Sequence, residues 1–145
     1  MKVKECMCKQ VDSIKPDASV SECAKIMGEK HIGCIPVCDD NNSVVGIVTD
    51  RDILLRAVAC NKDTCNTKVS NIMSTKVFCC DCNSDINEAE KIMCQEQIRR
   101  IPIVENGKLT GIITLADLAI NNSIPRQDVC NTVEKICECS SKNAE

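Results

Sequence analysis

Gly46-Ile47-Val48-Thr49-Asp50-Arg51-Asp52 and Gly111-Ile112-Ile113-Thr114-Leu115-Ala116-Asp117 each set an aspartate three residues after a threonine that ends an apolar run. A threonine hydroxyl and the free N–H groups at a helix start can hold a phosphate, and an ionised carboxylate can accept hydrogen bonds from a ribose diol. The same Thr-x-x-Asp spacing is also a helix-capping box, which satisfies backbone donors and nothing else. Both readings stand at the level of the motif. If the first holds, two copies imply two half-sites.

Other chemistry has less material. His31 is the only histidine, and no serine lies in a nucleophile motif, so a hydrolytic triad cannot be assembled. A Gly-x-x-x-x-Gly-Lys phosphate loop is also missing. The residues can hold a nucleotide but are not poised to break one, and the chain reads as a non-enzyme with no catalytic cofactor. Cys79-Cys80-Asp81-Cys82, Cys6-Met7-Cys8 and Cys137-Glu138-Cys139 could supply thiolates to zinc or an iron–sulfur cluster, or act as redox sensors. Cys-x-Cys is a weaker metal signal than Cys-x-x-Cys. Plain packing is the favoured reading of the fourteen cysteines, and no metal ligand is assigned.

Composition narrows the partners. A net charge of −3, the lack of a basic block, and Phe78 as the only aromatic residue argue against nucleic-acid binding. No apolar run approaches the roughly 20 residues that span a bilayer, and the first residues lack the apolar stretch of a secretory signal. The expected setting is cytoplasmic, without membrane contact. Cysteines then remain reduced and serve as small hydrophobes, as at Cys23, Cys34 and Cys38.

The elements that must carry the two motifs are themselves duplicated. Residues 11–38 laid on 77–104 give eight identities: Val11/Val77, Glu22/Glu88, Lys25/Lys91, Ile26/Ile92, Met27/Met93, Ile32/Ile98, Ile35/Ile101 and Pro36/Pro102. Val3 and Met7 are likewise answered by Val69 and Met73. Each copy opens with a short strand, near Val11 to Lys15 or Val77 to Asp81. Capping signals at Ser19 and Asp85 then start helices with apolar stripes, Val20, Cys23, Ala24, Met27 in one and Ile86, Ala89, Met93 in the other. A hydrophobic-Pro-hydrophobic strand follows, then a turn and a second strand, Val44 to Val48 or Leu109 to Ile113, with Asn106-Gly107 as a hairpin signal. The last helix of the first copy is expected from Asp50 to about Cys60 with Ile53, Leu54, Ala57 and Val58 on one side. Its counterpart runs from Leu115 to about Asn121.

Each repeat is therefore β-α-β-β-α, an α+β (α/β) design. The expected organisation is repeat 1 over 3–62, repeat 2 over 69–121 and a tail over 122–145, with Asn61 to Lys68 as linker. Halves of this size bury little on their own, so they are expected to pack through their sheets with pseudo-twofold symmetry. In the tail Val129, Cys130, Val133, Ile136 and Cys137 form a helical stripe expected to dock on the chain's own module.

The order of elements, the twofold repeat, the hydrophobic-Pro strand and the Gly-x-x-Thr-x-x-Asp ending together resemble the tandem cystathionine-β-synthase (CBS) domain pair, the Bateman module, over about residues 3–121. Gly46 to Leu54 looks like a family consensus as it stands. The resemblance implies an adenosine-containing ligand (AMP, ADP, ATP or S-adenosylmethionine) bound in clefts between the repeats. Asp52 and Asp117 would take the ribose hydroxyls, with Thr49 and Thr114 near the ribose or phosphate. Adenine would lie by Ile14, Lys15 and Pro16, or Cys80 in the second repeat, against Ile35-Pro36 and Ile101-Pro102, although these residues also read as ordinary core. Arg99 and Arg100 resemble phosphate-contacting positions in the regulatory γ subunit of AMP-activated protein kinase, and guanidinium suits phosphate. Arg51 could add charge at the first motif, but Leu115-Ala116 replace Asp50-Arg51 in the second. Unequal sites are expected. The family further implies a homodimer and a small energy-sensing regulatory protein that signals occupancy to an unidentified partner, by favouring one arrangement of its halves. A cysteine-based metal or redox protein on the same scaffold, and a purely structural dimerisation module, are the alternatives.

Overall fold

The computed structural model describes residues 1–138; Cys139, one of the expected tail thiols, lies outside them, as does the rest of the tail from 140 on. The elements in chain order are α1 (Val3–Cys6), α2 (Val20–Lys30), β1 (Cys34–Cys38), β2 (Val44–Thr49), α3 (Asp50–Ile53), β3 (Cys80–Asp81), α4 (Ile86–Glu96), β4 (Arg100–Glu105), β5 (Lys108–Thr114), α5 (Leu115–Ile120) and α6 (Arg126–Glu138). This mixture of helices and small sheets is the α+β class read from the sequence.

The chain forms two compact units that are not cut where the sequence repeats are cut. One holds Asp12–Val77 with Gly107–Leu109; the other holds Met1–Val11, Phe78–Asn106 and the described residues from Thr110 to Glu138. They are called here the Asp52 unit and the Asp117 unit. Each repeat's lead-in therefore packs in the unit of the other repeat. Val3 is fully buried in the Asp117 unit, among Ile86, Met93, Ile101 and Leu118, while Val69 and Ile72 are buried in the Asp52 unit with Val20, Ile35 and Val48.

The sheets follow the same plan in both units. β1 pairs antiparallel with β2, Ile35 opposite Val48 and Pro36 opposite Ile47, and Ile14 adds a single parallel bridge at Val37. In the Asp117 unit β3 runs parallel to β4, with Cys80 opposite Ile103, and β4 neighbours β5. The other edge of each sheet is met by a lead-in: Ile47 bridges Ser74 and Ile112 bridges Cys8, both antiparallel. Edge groups that would otherwise stand open are thereby satisfied.

The helices start where local chemistry says they should. Ser19 Oγ accepts from Glu22 N at 3.1 Å, and Glu22 Oε2 accepts from Ser19 N at 2.9 Å. Val20, Cys23 and Met27 then face the core, but Ala24 is exposed, one residue off the expected stripe. In α4 the stripe is as expected, with Ile86, Ala89 and Met93 buried. Both helices end on a left-handed residue, His31 at φ 54° and Gln97 at φ 56°.

Two expected stripes are corrected. After α3 the helix widens into a π turn over Leu54–Val58, with Ala59 N donating to Leu54 O at 2.8 Å. The wider turn re-phases the side chains, so Ala57 is buried while Leu54 and Val58 are 57% and 54% exposed. In α6 the inward residues are Val129, Thr132 and Ile136; Cys130, Val133 and Cys137 face outward. Thr132 is tolerated inside because its hydroxyl donates to Asp128 O at 2.9 Å. α6 does dock on its own module, against α4 and α5.

Candidate functional site

Each Thr–Asp motif closes into a box at the first turn of its helix. In the Asp52 unit Thr49 Oγ1 accepts from Asp52 N at 3.2 Å, and Asp52 Oδ2 accepts from Thr49 N at 2.9 Å. In the Asp117 unit Thr114 Oγ1 accepts from Asp117 N at 3.2 Å. Asp117 Oδ2 accepts from both Thr114 N, at 2.7 Å, and Thr114 Oγ1, at 2.6 Å. The capping reading of the motif is thus realised in both copies. It does not exhaust the carboxylates, since each box uses only Oδ2, and Oδ1 lies outside it.

A lead-in braces each box. Arg56 Nη1 lies 3.6 Å from Asp52 Oδ1 and donates to Ile72 O at 3.0 Å and Ser74 Oγ at 3.2 Å. Cys6 Sγ donates to Asp117 O at 3.7 Å. Arg56 is a neighbour of the first box that the sequence expectations do not include. Its signal was present as an Asp–Arg pair at i,i+4, one helical turn apart.

The other expected residues divide into those gathered near the boxes and those turned away. Ile14 N donates to Pro36 O at 3.1 Å, so Ile14, Ile35 and Pro36 lie together in the Asp52 unit. Lys15 is directed to the β1–β2 turn, where its ammonium donates to Asp39 O at 2.8 Å and lies 3.3 Å from Asp40 Oδ1. Pro16 is half-buried and its carbonyl accepts from Ser70 N at 2.9 Å. Ile35, Ile101, Pro102 and Cys80 are buried, as their core reading had it. Arg51, Arg99 and Arg100 are exposed, and Arg99 O accepts from Leu115 N at 2.9 Å, which sets Arg99 beside the start of α5.

Two cavities are lined by none of the box residues. One of about 470 Å³ sits between the Ile14 segment and α2; of the expected residues only Ile14 and Lys15 line it. A larger one, about 720 Å³, lies between α4 and α6 and takes in none of them. Glu90 Oε1 is buried there without a hydrogen-bond partner among the described residues, and burial and nearby Asp128 hold this carboxyl above its usual range.

The described cysteines divide between core and surface. Cys23, Cys34, Cys38, Cys80 and Cys82 are buried, whereas Cys8, Cys60, Cys65, Cys130 and Cys137 are exposed. Burial pushes the thiols of Cys38, Cys80 and Cys82 up, and that of Cys23 to about 11. Since the thiolate is the nucleophile, the raised pKa alone should slow native Cys23 with a disulfide reagent at pH 8 by about a hundredfold relative to a free thiol, and its full burial should slow it further. Peptide mapping after a short labelling pulse should find the exposed five modified and the buried five protected. Label on Cys80 or Cys82 at the exposed rate would contradict this placement. Among the described residues no group of three or more His, Cys, Asp or Glu side chains is arranged to hold a metal ion. Nor, among them, is any helix long and apolar enough to cross a membrane.

Comparison with known proteins gives the motif its context. A family model for the CBS domain matches residues 3–59 and 69–121. The chain is 40% identical over 119 residues to the CBS domain-containing protein YhcV of Bacillus subtilis, covering 82% of this chain and 84% of that one. Among solved structures it is similar to Hypoxic Response Protein I with two coordinated zinc ions, at a TM-score of 0.76 and 28% identity, covering 82% of this chain and 97% of that one. It is also similar to the CBS domain pair of protein MJ0100 in complex with 5′-methylthioadenosine and S-adenosyl-L-methionine. There the TM-score is 0.73 and the identity 27%, covering 82% of this chain and 93% of that one.

Proposed function

The chain belongs to the CBS domain family, and from that premise we propose that it is a regulatory, non-catalytic module that binds an adenosine-containing ligand at its two Thr–Asp boxes. The observation that carries the proposal is that the same box, with one carboxylate oxygen outside it, forms in both units, that oxygen facing Arg56 in the Asp52 unit. Asp52 and Asp117 take the ribose hydroxyls, and Thr49 and Thr114 lie by the ribose or the 5′ group. Ile14, Pro36 and Pro102 border the base. Arg99 and Arg100 take phosphate when the ligand is AMP, ADP or ATP; at the other motif Arg56 is paired with Asp52, which leaves Arg51 as the basic counterpart. The MJ0100 pair supports the adenosine class, since its ligands are adenosine thioethers and sulfonium compounds.

Occupancy reaches a partner protein by population shift, and only to the extent that the ligand prefers one conformer over the other. The protein works as a homodimer in the cytoplasm. Exposed Leu54, Leu55 and Val58 on one helical surface support self-association, because apolar side chains grouped on a surface favour burial against a partner.

Asp52→Ala with Asp117→Ala is the direct test. Loss of two charged acceptors should lower adenosine-ligand affinity by about a hundredfold. Each substitution also removes one side of a capping box, at about 1 kcal/mol of stability, so circular dichroism must accompany the titration. Unchanged affinity in a folded double variant would sink the assignment. Because the chain has no Trp or Tyr, a co-purified adenine compound would dominate its spectrum near about 260 nm and could be identified after release.

A further inference from the structure

The two boxes share a backbone frame but not a charge. Asp50 N donates to Gly33 O at 3.0 Å in one unit, and Leu115 N donates to Arg99 O at 2.9 Å in the other. The same bond thus makes Gly33 the counterpart of Arg99 and Asp50 the counterpart of Leu115. Where one unit has an arginine beside an uncharged helix start, the other has a carboxylate against a residue with no side chain. The contact is close: a β-carbon at Gly33 would lie 2.9 Å from Asp50 Oδ2. Glycine is what makes room for the carboxylate.

The remaining charges widen the difference. In the Asp52 unit Arg56 is spent on Asp52, and exposed Arg51 stands beside Asp50, so positive and negative groups balance. In the Asp117 unit Ala116 replaces Arg51 and Asn121 stands at the place of Arg56. Arg99 and Arg100 form no ion pair among the described residues, and Asp117 is the acid of the box. A phosphate brought to this unit meets unpaired guanidinium groups, which suit its geometry and charge. Brought to the Asp52 unit, it meets a carboxylate.

We infer that the two half-sites select opposite 5′ substituents on one nucleoside: the Asp117 unit takes adenosine with a 5′-phosphate, and the Asp52 unit takes adenosine with an uncharged or cationic 5′ group. Asp50, seated on Gly33, is the residue that turns phosphate away. This rests on the adenosine reading of the boxes. Ribose and base are common to both ligand types, so discrimination must come from the 5′ end, and a repulsive group supplies it as effectively as an attractive one.

Calorimetric titration of the full chain with AMP and with S-adenosylmethionine tests it. Wild type should bind one AMP tightly and still accept one S-adenosylmethionine when AMP is saturating. Asp50→Asn should tighten a second AMP site by about tenfold and weaken S-adenosylmethionine by a similar factor, since like charges brought together are costly. Gly33→Ala, which unseats the carboxylate without removing it, should shift the same balance in the same direction. Arg99→Gln with Arg100→Gln should lose the tight AMP site by about tenfold or more and keep S-adenosylmethionine. Two equal AMP sites in wild type, competition of both ligands for one site, or no change in Asp50→Asn would overturn the inference while leaving the adenosine reading intact. If neither compound binds wild type, both fall.

Discussion

Removing residues 1–8 should destabilise the second repeat, not the first. These residues are the lead-in of repeat 1 by sequence, yet they complete the Asp117 unit. Val3 is fully buried there, Val3 N donates to Ser84 O, and Lys4 N donates to Cys82 O, each at 3.0 Å. Cys8 exchanges two backbone hydrogen bonds with Ile112, at 2.9 and 3.0 Å. Burial of one valine is worth about 1.5–3 kcal/mol, and each backbone bond contributes about 1 kcal/mol net. The total loss is on the order of 5 kcal/mol, comparable with the whole stability of a small domain. Hydrogen exchange read by mass spectrometry should show protection lost first across residues 78–120. Protection lost evenly over the chain, or first in residues 12–60, would contradict the exchanged lead-ins.

That exchange was hidden from a reading of the sequence for a physical reason. Val3 and Met7 answer Val69 and Met73, which says that both segments do the same job but not on which sheet each does it. Pairing across so many residues is decided by tertiary packing, and no local pattern encodes it. What local patterns encode was legible. The Ser19 and Thr–Asp boxes, the hydrophobic-Pro strands and the Asn106-Gly107 turn all form within a few residues of themselves. Buried cysteines at 23, 34 and 38 followed from their places in apolar runs. The stripe after Asp52 holds at Ile53 and Ala57 and breaks at Leu54 and Val58, because an ordinary α-helical period does not run through a π turn. At the site, both boxes could be read, but the seating of Asp50 on Gly33 could not. It depends on β1 meeting the start of α3, two segments separated by the whole hairpin.

The braces tie fold to function. Because Arg56 holds Asp52 to Ser74, and Cys6 reaches the backbone of Asp117, each box is steadied by a segment distant in sequence. Under the proposed adenosine reading, a ligand that draws a carboxylate toward its ribose pulls on that segment as well. Linkage then requires that changes in a lead-in alter ligand affinity, and that ligand protects the lead-in in return.

Gly111→Ala should cost about 2 kcal/mol of stability, and Gly46→Ala less than about 1, although the two glycines occupy the same place in their repeats. At Gly46 the three atoms nearest a β-carbon all belong to the Met73 side chain, its sulfur first and its Cγ at 3.0 Å. Methionine has three rotatable bonds and can withdraw. At Gly111 the β-carbon would lie 2.7 Å from Met7 Sδ and also 2.8 Å from the carbonyl oxygen of Cys8. That oxygen cannot withdraw, because it accepts from Ile112 N at 3.0 Å and moving it opens the bridge. Urea unfolding followed by circular dichroism reads both costs. A second pair of variants separates the causes: Met73→Ala should relieve most of the strain of Gly46→Ala in a double-mutant cycle, whereas Met7→Ala should relieve little of that of Gly111→Ala. Equal costs at the two glycines, or full relief by Met7→Ala, would mean that the Cys8 backbone is not what limits the close approach of lead-in and sheet.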